Sequence, residues 1–358
     1  MRPPAGVDLS SNDYLGLSRD PRVTAAFAAG IAADGVGSTG SRLLRGERTA
    51  FAEAEAAFAR FKGTERALFF SSGYLANLAV LSTLAEAGDL ICSDARNHAS
   101  LIDAARLARA DVQVMPHDDP AAVAAALASR RAGPALVVVE SLYSMDGDQA
   151  RLQEFAAVCQ AHGATLVVDE AHAVGVRGDR GAGLIEEHGL EANRCLSINA
   201  GGKALGVGGA FVAGPAWAIE YLVQRARPFV FTTAAPPALA HALLASLTIV
   251  EHEPDRRQRV RRLAQRLRQA LIALGVDVAA DDSHIVPIMI GDNDRALAVA
   301  AALQADGFDV RAIRPPTVPA HTARLRVSLN ATLADPDLDR FIAAVAVALR
   351  AVESPAHV

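Results

Sequence analysis

The sequence is poor in lysine, aromatic residues and cysteine, and each shortage narrows the possible functions. Only Lys62 and Lys203 are lysines among 35 basic residues, so arginine supplies almost every positive charge. Aromatic residues make up 5% of the chain and apolar residues 51%, as in a globular protein with a substantial core. Cys92, Cys159 and Cys195 form no CxxC pair and no metal-ligand spacing. We therefore predict no metal site, and we expect Cys92 and Cys195, which lie in apolar runs, to be buried.

Long apolar runs and blocks of like charge are also missing. No stretch of 18 apolar residues occurs, and no apolar run follows the first residues, so we expect a cytoplasmic location and no membrane partner. The net charge is -5 without a charged tail, which gives no reason to expect nucleic-acid binding. Seven arginines cluster in a leucine-spaced helical pattern, and we assign them to an exposed helix face. These arginines are Arg256, Arg257, Arg259, Arg261, Arg262, Arg266 and Arg268.

A phosphate-binding loop of the nucleotide-hydrolysing type is absent, although Asp169-Glu-Ala-His172 spells the DEAH box of helicases. Such enzymes need the pattern G-x-x-x-x-G-K-[ST]. The one Gly-Lys pair, Gly202-Lys203, is followed by Ala204 and does not complete that pattern. This excludes a nucleotide-driven motor. No G-x-G-x-x-G turn follows a predicted strand, and no metal cluster appears, which argues against a dehydrogenase and a metallohydrolase.

Apolar strand-like segments alternate with helical patterns over the first two thirds of the chain. The predicted strands are 67–70, 90–92, 136–139 and 165–169, with another near 197, and the predicted helices include 49–62, 75–84 and 151–162. This alternation predicts an α/β fold with a parallel sheet flanked by helices.

The pattern changes at Pro236-Pro237, which we take as a domain boundary. The predicted division is an N-terminal segment 1–34, a large domain 35–236 and a smaller α+β domain 237–358. For the smaller domain we predict a helical region to about residue 274, strands at 285–290 and 325–329, and a helix at 294–305.

The two lysines occupy different contexts. Lys203 lies in a glycine-rich loop, where its amine can lose a proton and form an imine with a carbonyl group, which arginine cannot do. Lys62 precedes Gly63 at the predicted end of a helix, so we interpret it as an ordinary surface lysine.

Polar residues at successive strand ends match the groups of pyridoxal phosphate. The cofactor's aldehyde needs an amine, which Lys203 offers, and its ring nitrogen needs an anion, which Asp169 offers. The amides of Ser72-Gly73-Tyr74, between a strand and a helix, are suited to the phosphate. His98, just beyond another strand, could stack on the ring. The large domain is therefore predicted to bind this cofactor.

Six motifs between about residues 10 and 345 carry a resemblance to a known family. They are Ser11-Asn-Asp-Tyr-Leu-Gly-Leu, Asn97-His-Ala-Ser-Leu, Ser144-Met-Asp-Gly-Asp, Val168-Asp-Glu-Ala-His, Gly202-Lys-Ala-Leu-Gly and Ile313-Arg-Pro-Pro-Thr-Val-Pro. With them the sequence resembles the α-oxoamine synthases, which are fold-type I pyridoxal-phosphate enzymes, and this implies a mainly parallel sheet of the seven-stranded type in the large domain. The resemblance implies an acyltransferase, and the last motif implies condensation of L-alanine with a pimeloyl thioester of CoA or acyl carrier protein, with loss of CO2. Sister synthases, such as those of the glycine C-acetyltransferase or 5-aminolevulinate synthase type, and an inactive cofactor-binding partner subunit are the alternatives.

The resemblance also implies roles for individual residues. Those at the cofactor are Lys203 as Schiff-base lysine, Asp169 at the ring nitrogen, His172 and Ser144 at the ring oxygen, Gly73 and Tyr74 at the phosphate, and His98 on the ring. Those at the substrates are Asn12, Thr317, His98, which is also the candidate acid, and Arg326, which would hold the amino-acid carboxylate.

Two departures from the family pattern affect these expectations. Ala200 stands where the family usually has a phosphate-binding Ser or Thr three residues before the lysine. Thr232 and Thr233 are the predicted replacements, and the resemblance implies that they reach the neighbouring subunit's cofactor in a homodimer. The second departure is that ten residues precede Ser11, where the family usually has a longer segment. Either the start is misassigned or the acyl pocket is built differently.

Overall fold

The computed structural model describes residues 5–131, 133–278 and 281–353. Its strands are β1 (Val7–Asp8), β2 (Arg66–Phe70), β3 (Leu90–Asp94), β4 (Asp111–Met115), β5 (Ala135–Glu140), β6 (Thr165–Asp169), β7 (Cys195–Ala200), β8 (Ala210–Gly214), β9 (Ile285–Gly291), β10 (Phe308–Asp309), β11 (Arg311–Ile313) and β12 (Ala323–Ser328). Its helices are α1 (Pro21–Asp34), α2 (Thr49–Lys62), α3 (Gly73–Leu84), α4 (Ala99–Ala108), α5 (Pro120–Ser129), α6 (Leu152–His162), α7 (Leu184–Glu187), α8 (Ala216–Arg225), α9 (Arg227–Val230), α10 (Ala238–His252), α11 (Pro254–Ala273), α12 (Asn293–Ala305) and α13 (Asp335–Glu353).

The larger of two compact units comprises Leu17–Tyr143 and Gln149–Pro254 and is built on a seven-stranded sheet. The strand order is β2-β8-β7-β6-β5-β3-β4, and β8 is antiparallel to both of its neighbours while the other pairs are parallel. The central strands are buried along their whole length, as expected for strands covered by helices on both faces. The predicted α/β architecture is therefore confirmed. Because β3, β5, β6 and β7 run parallel, their carboxyl ends meet at one edge of the sheet.

The smaller unit comprises the chain up to Gly16, Ser144–Asp148 and the chain from Asp255. Its antiparallel sheet has the order β11-β12-β9, and β1 forms a separate parallel pair with β10. Helices α12 and α13 pack against each other in this unit.

The compact units differ from the predicted division of the chain at two places. Helix α10 packs on α1 and α2 of the larger unit, so the division falls after Pro254 rather than at Pro236-Pro237. Val7 and Asp8 pair with β10, so the described residues up to Gly16 belong to the smaller unit and not to a separate segment 1–34. Pro254 also divides the predicted helical region, because proline cannot donate the hydrogen bond that would continue α10.

Lys62 is not the surface lysine that its sequence context suggested. Helix α2 does end at Lys62, and Gly63 follows it in the left-handed conformation with φ of 70°. The Lys62 side chain, however, is buried and forms an ion pair with Glu170, and it also donates to the carbonyl oxygen of Ala182. The sequence pattern identified the helix end correctly but could not show which way the side chain points.

The arginine cluster is likewise not wholly exposed, since Arg257 and Arg268 are buried in α11. Arg268 donates to the carbonyl oxygens of Ser283 and Ile285, so the assignment of all seven arginines to an exposed face was wrong. The burial of Cys92 and Cys195 is confirmed, and it raises the pKa of these thiols to about 11 and about 12. Among the helices of the described residues, none has the length and apolarity needed to cross a membrane.

Candidate active site

Lys203 and the end of β6 meet at the carboxyl edge of the large sheet. Lys203 Nζ lies 2.9 Å from His172 Nε2. An ammonium group can only donate a hydrogen bond, so a charged Lys203 uses Nε2 of His172 as its acceptor. Asp169, the last residue of β6, and His172 are both buried, whereas Lys203 is half-buried and can be reached by a ligand.

The buried Asp169 carboxylate receives its direct hydrogen bonds from neutral groups. Its Oδ1 accepts from the Ala171 amide at 2.9 Å, and its Oδ2 accepts from Asn77 Nδ2 at 2.9 Å. Within the described residues, no arginine or lysine forms an ion pair with this carboxylate. A buried anion usually has a cationic partner. The site therefore fits a ligand that brings a positive charge, as the protonated ring nitrogen of pyridoxal phosphate would.

His98 caps the amino end of α4 beside this carboxylate. Its Nδ1 accepts a hydrogen bond from the Ser100 amide at 3.2 Å and lies 2.8 Å from Ser100 Oγ. Partial burial lowers the pKa of His98, and the positive charge of Lys203 lowers it further, while Asp169 opposes the change. The residue itself is exposed, so the ring is open to a ligand.

Glu140 is a site residue that the sequence interpretation passed over. It ends β5 opposite Asp169, and its Oε1 accepts a hydrogen bond of 2.6 Å from the backbone amide of His98. Complete burial raises the pKa of Glu140 to about 8, and the charge of Asp169 acts in the same direction. Glu140 therefore anchors the turn that carries His98 and favours the protonated form near neutral pH.

The start of α3 forms the predicted phosphate end. Ser72 caps the helix and accepts a hydrogen bond from the Leu75 amide at 3.3 Å, while Gly73 and Tyr74 supply the first helical amides, which have no partner inside the helix. A Cβ atom added to Gly73 would lie 3.6 Å from Cβ of Ala200. Ala200, which lacks the hydroxyl that the family usually has at this position, therefore lies next to the start of α3. The Tyr74 side chain points elsewhere and donates its hydroxyl hydrogen to Asp103.

Thr232 and Thr233 lie near the same turn. Together with Ser71 they line a cavity of about 20 Å³, and Thr233 is exposed while Thr232 is half-buried. Their predicted role at a neighbouring subunit's cofactor stays a prediction.

Arg326 is the central predicted site residue of the smaller unit. It is buried on β12 and donates to neutral acceptors: the Ser144 carbonyl oxygen, Ser328 Oγ at 2.8 Å, Asn12 Oδ1 at 3.1 Å and the Tyr14 hydroxyl at 3.4 Å. No carboxylate of the described residues forms an ion pair with it. The arrangement suits a ligand that brings a carboxylate.

Two other residues of the smaller unit, Arg324 and Thr317, differ from Arg326. Arg324, two residues earlier on β12, is paired with Asp146 and so has its own anion. Thr317 is exposed, and its amide donates to the Arg314 carbonyl oxygen at 3.0 Å. None of these contacts tests the substrate role predicted for Thr317.

The structure thus groups the predicted residues by unit. Lys203, His172, Asp169 and His98 come together in the larger unit, and Asn12, Ser144 and Arg326 come together in the smaller one.

Four site residues were missed, namely Asn77, Ser100, Glu140 and Tyr14. Asn77 is a polar residue in the otherwise apolar run of α3, and Ser100 and Tyr14 lie within recognised motifs. Glu140 ends its strand as Asp169 ends β6. These positions were the signals that could have identified them.

Comparison with known proteins places this geometry in a family. The model for aminotransferase class I and II matches residues 4–345. The 8-amino-7-oxononanoate synthase of Cupriavidus taiwanensis is 46% identical over 349 residues, which cover 95% of this chain and 86% of that protein.

Solved structures agree with this placement. A serine palmitoyltransferase from S. paucimobilis, with a bound PLP–myriocin aldimine, aligns with a TM-score of 0.94 and 33% identity, covering 98% of this chain and 89% of the other. The 8-amino-7-oxononanoate synthase of Francisella tularensis aligns with a TM-score of 0.84 and 28% identity, covering 98% and 99%. The chain belongs to the aminotransferase class I and II family and is a pyridoxal-phosphate-dependent acyltransferase of the α-oxoamine synthase type, with the fold-type I architecture.

Proposed function

We propose that the protein condenses L-alanine with a pimeloyl thioester, releasing CO2 and the free thiol carrier and forming 8-amino-7-oxononanoate for biotin synthesis. The observation that carries the chemistry is the buried Asp169 carboxylate with neutral donors beside the Lys203–His172 pair. The choice of alanine and a pimeloyl group rests on the 46% identity to the Cupriavidus synthase and on the motif Ile313-Arg-Pro-Pro-Thr-Val-Pro.

The predicted cofactor residues would bind pyridoxal phosphate. Bound at this site, the cofactor supplies an aldehyde for amino groups and a cationic ring that accepts electrons. Lys203 Nζ would hold the aldehyde carbon and, once released by the incoming amino acid, take the proton from Cα of alanine. Asp169 would keep the ring nitrogen protonated by its negative charge. His172 and Ser144 would bond the ring oxygen, and the amides of Gly73 and Tyr74 would bind the phosphate.

Arg326 would orient alanine through its carboxylate. Its present hydrogen bonds go to neutral acceptors, so a carboxylate would give it the opposite charge that its burial calls for. Asn12 and Thr317 would contact the substrates. His98 would lie on the cofactor ring and give a proton to the thioester oxygen as it becomes negatively charged.

Two copies of the chain would form a homodimer with shared active sites. Thr232 and Thr233 would then supply the phosphate hydroxyl that Ala200 does not provide. The support for this assignment is the missing hydroxyl beside Gly73 and the resemblance to the family.

A serine-specific sister activity is the second candidate. The serine palmitoyltransferase from S. paucimobilis aligns with a TM-score of 0.94 and 33% identity, both higher than the 0.84 and 28% of the Francisella oxononanoate synthase. Such an enzyme would use a longer acyl chain and a different amino acid in the same arrangement of residues.

The decisive experiment gives the purified protein alanine, glycine or serine with acetyl, succinyl, pimeloyl or palmitoyl thioesters of CoA and of acyl carrier protein. Thiol release and product mass are measured, and Lys203→Ala is the matched control. Borohydride treatment followed by peptide mapping should place the cofactor on Lys203. Product only from alanine and a pimeloyl thioester supports the proposal, whereas a different preferred pair or no turnover in the presence of bound cofactor rejects it.

A further inference from the structure

Asp169 and His98 are joined by an unbroken chain of hydrogen bonds. Asn77 Nδ2 lies 2.9 Å from Asp169 Oδ2 and 2.8 Å from Ser100 Oγ, and Ser100 Oγ lies 2.8 Å from His98 Nδ1. Asn77 and Ser100 are buried, so water does not compete for these contacts. The chain connects three structural elements, because Asn77 lies on α3, Ser100 on α4 and Asp169 at the end of β6.

The direction of each hydrogen bond follows from its partners. A carboxylate can only accept, so Asn77 must turn its NH2 group rather than its oxygen toward Asp169. The second hydrogen of that NH2 group then points to Ser100 Oγ, which accepts it. Ser100 has one hydroxyl hydrogen, and with Oγ already accepting from Asn77 this hydrogen is directed to His98 Nδ1.

A second donor acts on the same nitrogen. The backbone amide of Ser100 also donates to His98 Nδ1, at 3.2 Å. A ring nitrogen that accepts two hydrogen bonds carries no hydrogen of its own. In the neutral imidazole the hydrogen must therefore be on Nε2.

The charged and titratable groups around His98 are consistent with a neutral ring. Lys203 disfavours a positive charge on the imidazole, Asp169 favours it, and Glu140, which accepts from the His98 amide, is buried. A neutral imidazole with its hydrogen on Nε2 can donate to an oxygen that gains charge during a reaction, and Nδ1 is held so that the ring does not turn over.

We propose that Asn77 and Ser100 are positioning residues that transmit the orientation of the Asp169 carboxylate to His98 and hold the His98 hydrogen on Nε2. The inference rests on the proposed function for the use made of that hydrogen. In this arrangement the Asp169 carboxylate has two tasks. It supplies the negative charge at the cofactor ring, and through Ser100 and Asn77 it keeps His98 in the tautomer that can donate from Nε2.

The test reads the tautomer directly in cofactor-free protein. Histidine labelled with 15N is incorporated into the wild type, Ser100→Ala, Ser100→Thr, Asn77→Ala and the control Ser82→Ala, and His98→Gln assigns the His98 signals. Ser82 is a suitable control because it also lies on α3 and its hydroxyl bonds to the Leu78 carbonyl oxygen outside this network. Thermal unfolding of each variant is measured in parallel.

The wild type should show an unprotonated Nδ1 and a protonated Nε2. Loss of one neutral hydrogen bond should lower the ratio of the Nε2–H to the Nδ1–H tautomer by about 2- to 10-fold in Ser100→Ala. Ser100→Thr, which keeps the hydroxyl, should restore the ratio. Asn77→Ala should shift the tautomer ratio in the same direction although Asn77 does not touch His98, and Ser82→Ala should leave it unchanged. In the turnover assay, the Ser100 and Asn77 variants should lose kcat with little change in the KM for the amino acid.

Two results would overturn the inference: a hydrogen on Nδ1 in the wild type, or an unchanged tautomer ratio in both Ser100→Ala and Asn77→Ala. If neither variant folds, the wild-type spectrum alone decides. The readout needs neither cofactor nor substrate, so its failure is distinct from failure of the proposed function, which the thioester panel tests.

Discussion

Replacing Lys62 by methionine should destabilise the larger unit strongly, although its partner Glu170 lies 108 positions further along the chain. The change removes the cation but keeps the apolar stem in place. Glu170 would then keep a fully buried carboxylate that still accepts a hydrogen bond from the Ile185 amide at 3.1 Å but has lost its cation. Glu170 lies between Asp169 and His172, so loss of the ion pair would destabilise the segment that carries both of these site residues.

The expected magnitude follows from the burial of the pair. The Lys62 and Glu170 side chains are 1% and 0% exposed, so water cannot solvate the charge left behind. Breaking a buried pair from one side costs about 3–5 kcal/mol of unfolding free energy, whereas replacing both partners by neutral groups can be nearly neutral. The double variant Lys62→Met with Glu170→Gln should therefore recover most of the loss.

Urea unfolding followed by tryptophan fluorescence is the appropriate assay. The single tryptophan, Trp217, lies in the larger unit and so reports on the unit that contains the pair. Arg66→Met is the matched control, because Arg66 forms an ion pair with Glu220 in the same unit with side chains 51% and 61% exposed. Its cost should stay below about 1 kcal/mol. A Lys62→Met cost no larger than the control, or a double variant no more stable than the single one, would refute the reasoning.

Four further predictions concern the site itself. Burial raises the pKa of Glu140 to about 8, so the folded state binds a proton that the unfolded state releases near pH 4.3, and wild-type stability should fall as pH rises through about 8. Glu140→Gln should flatten this part of the profile in urea midpoints between about pH 5 and pH 9, and an unchanged slope would contradict the assignment. Ala200→Ser should place a hydroxyl beside Gly73 and tighten pyridoxal-phosphate binding by about ten- to a hundredfold, while Thr233→Val should weaken it by a similar factor. Mixed dimers of Thr233→Val and Lys203→Ala should regain activity in one of their two sites, and hybrid dimers without activity would count against a shared site. Asp169→Asn should retain the shape of the site but slow exchange of the alanine Cα proton by orders of magnitude, and wild-type exchange would remove Asp169 from its proposed role.

The cofactor-side residues could be predicted because parallel strands place their carboxyl ends together. Asp169, His98 and Lys203 each follow a buried apolar segment, and a strand pattern alone brings such residues to one edge. The alternation also sufficed for most of the large sheet. Two strands of this sheet were missed. Edge strand β4 is mostly exposed and lacks the apolar run of the central strands, and β8 follows β7 through the glycine-rich loop without an intervening helix, so it lies outside the alternation.

The remaining features depend on partners far away in sequence. Lys62 meets Glu170 across 108 positions, and Asn77 meets Asp169 across 92. A helix-end pattern reports the backbone at Lys62 and Gly63 but says nothing about the side chain's destination. The pairing of β1 with β10, which joins Val7 to Phe308, is similarly invisible to any local pattern.

The scarcity of lysine, combined with the burial of Lys62, gives this protein an unusual response to a protease that cleaves after lysine. The chain offers such an enzyme two peptide bonds, after Lys62 and after Lys203. Cleavage after Lys62 requires the end of α2 to unfold and the Lys62–Glu170 ion pair to separate. The appearance of this fragment would therefore report local unfolding in the larger unit. Cleavage after Lys203 would be blocked whenever its amine is covalently occupied. A single digestion followed over time would therefore record local unfolding and covalent occupancy of Lys203 as two separate bands.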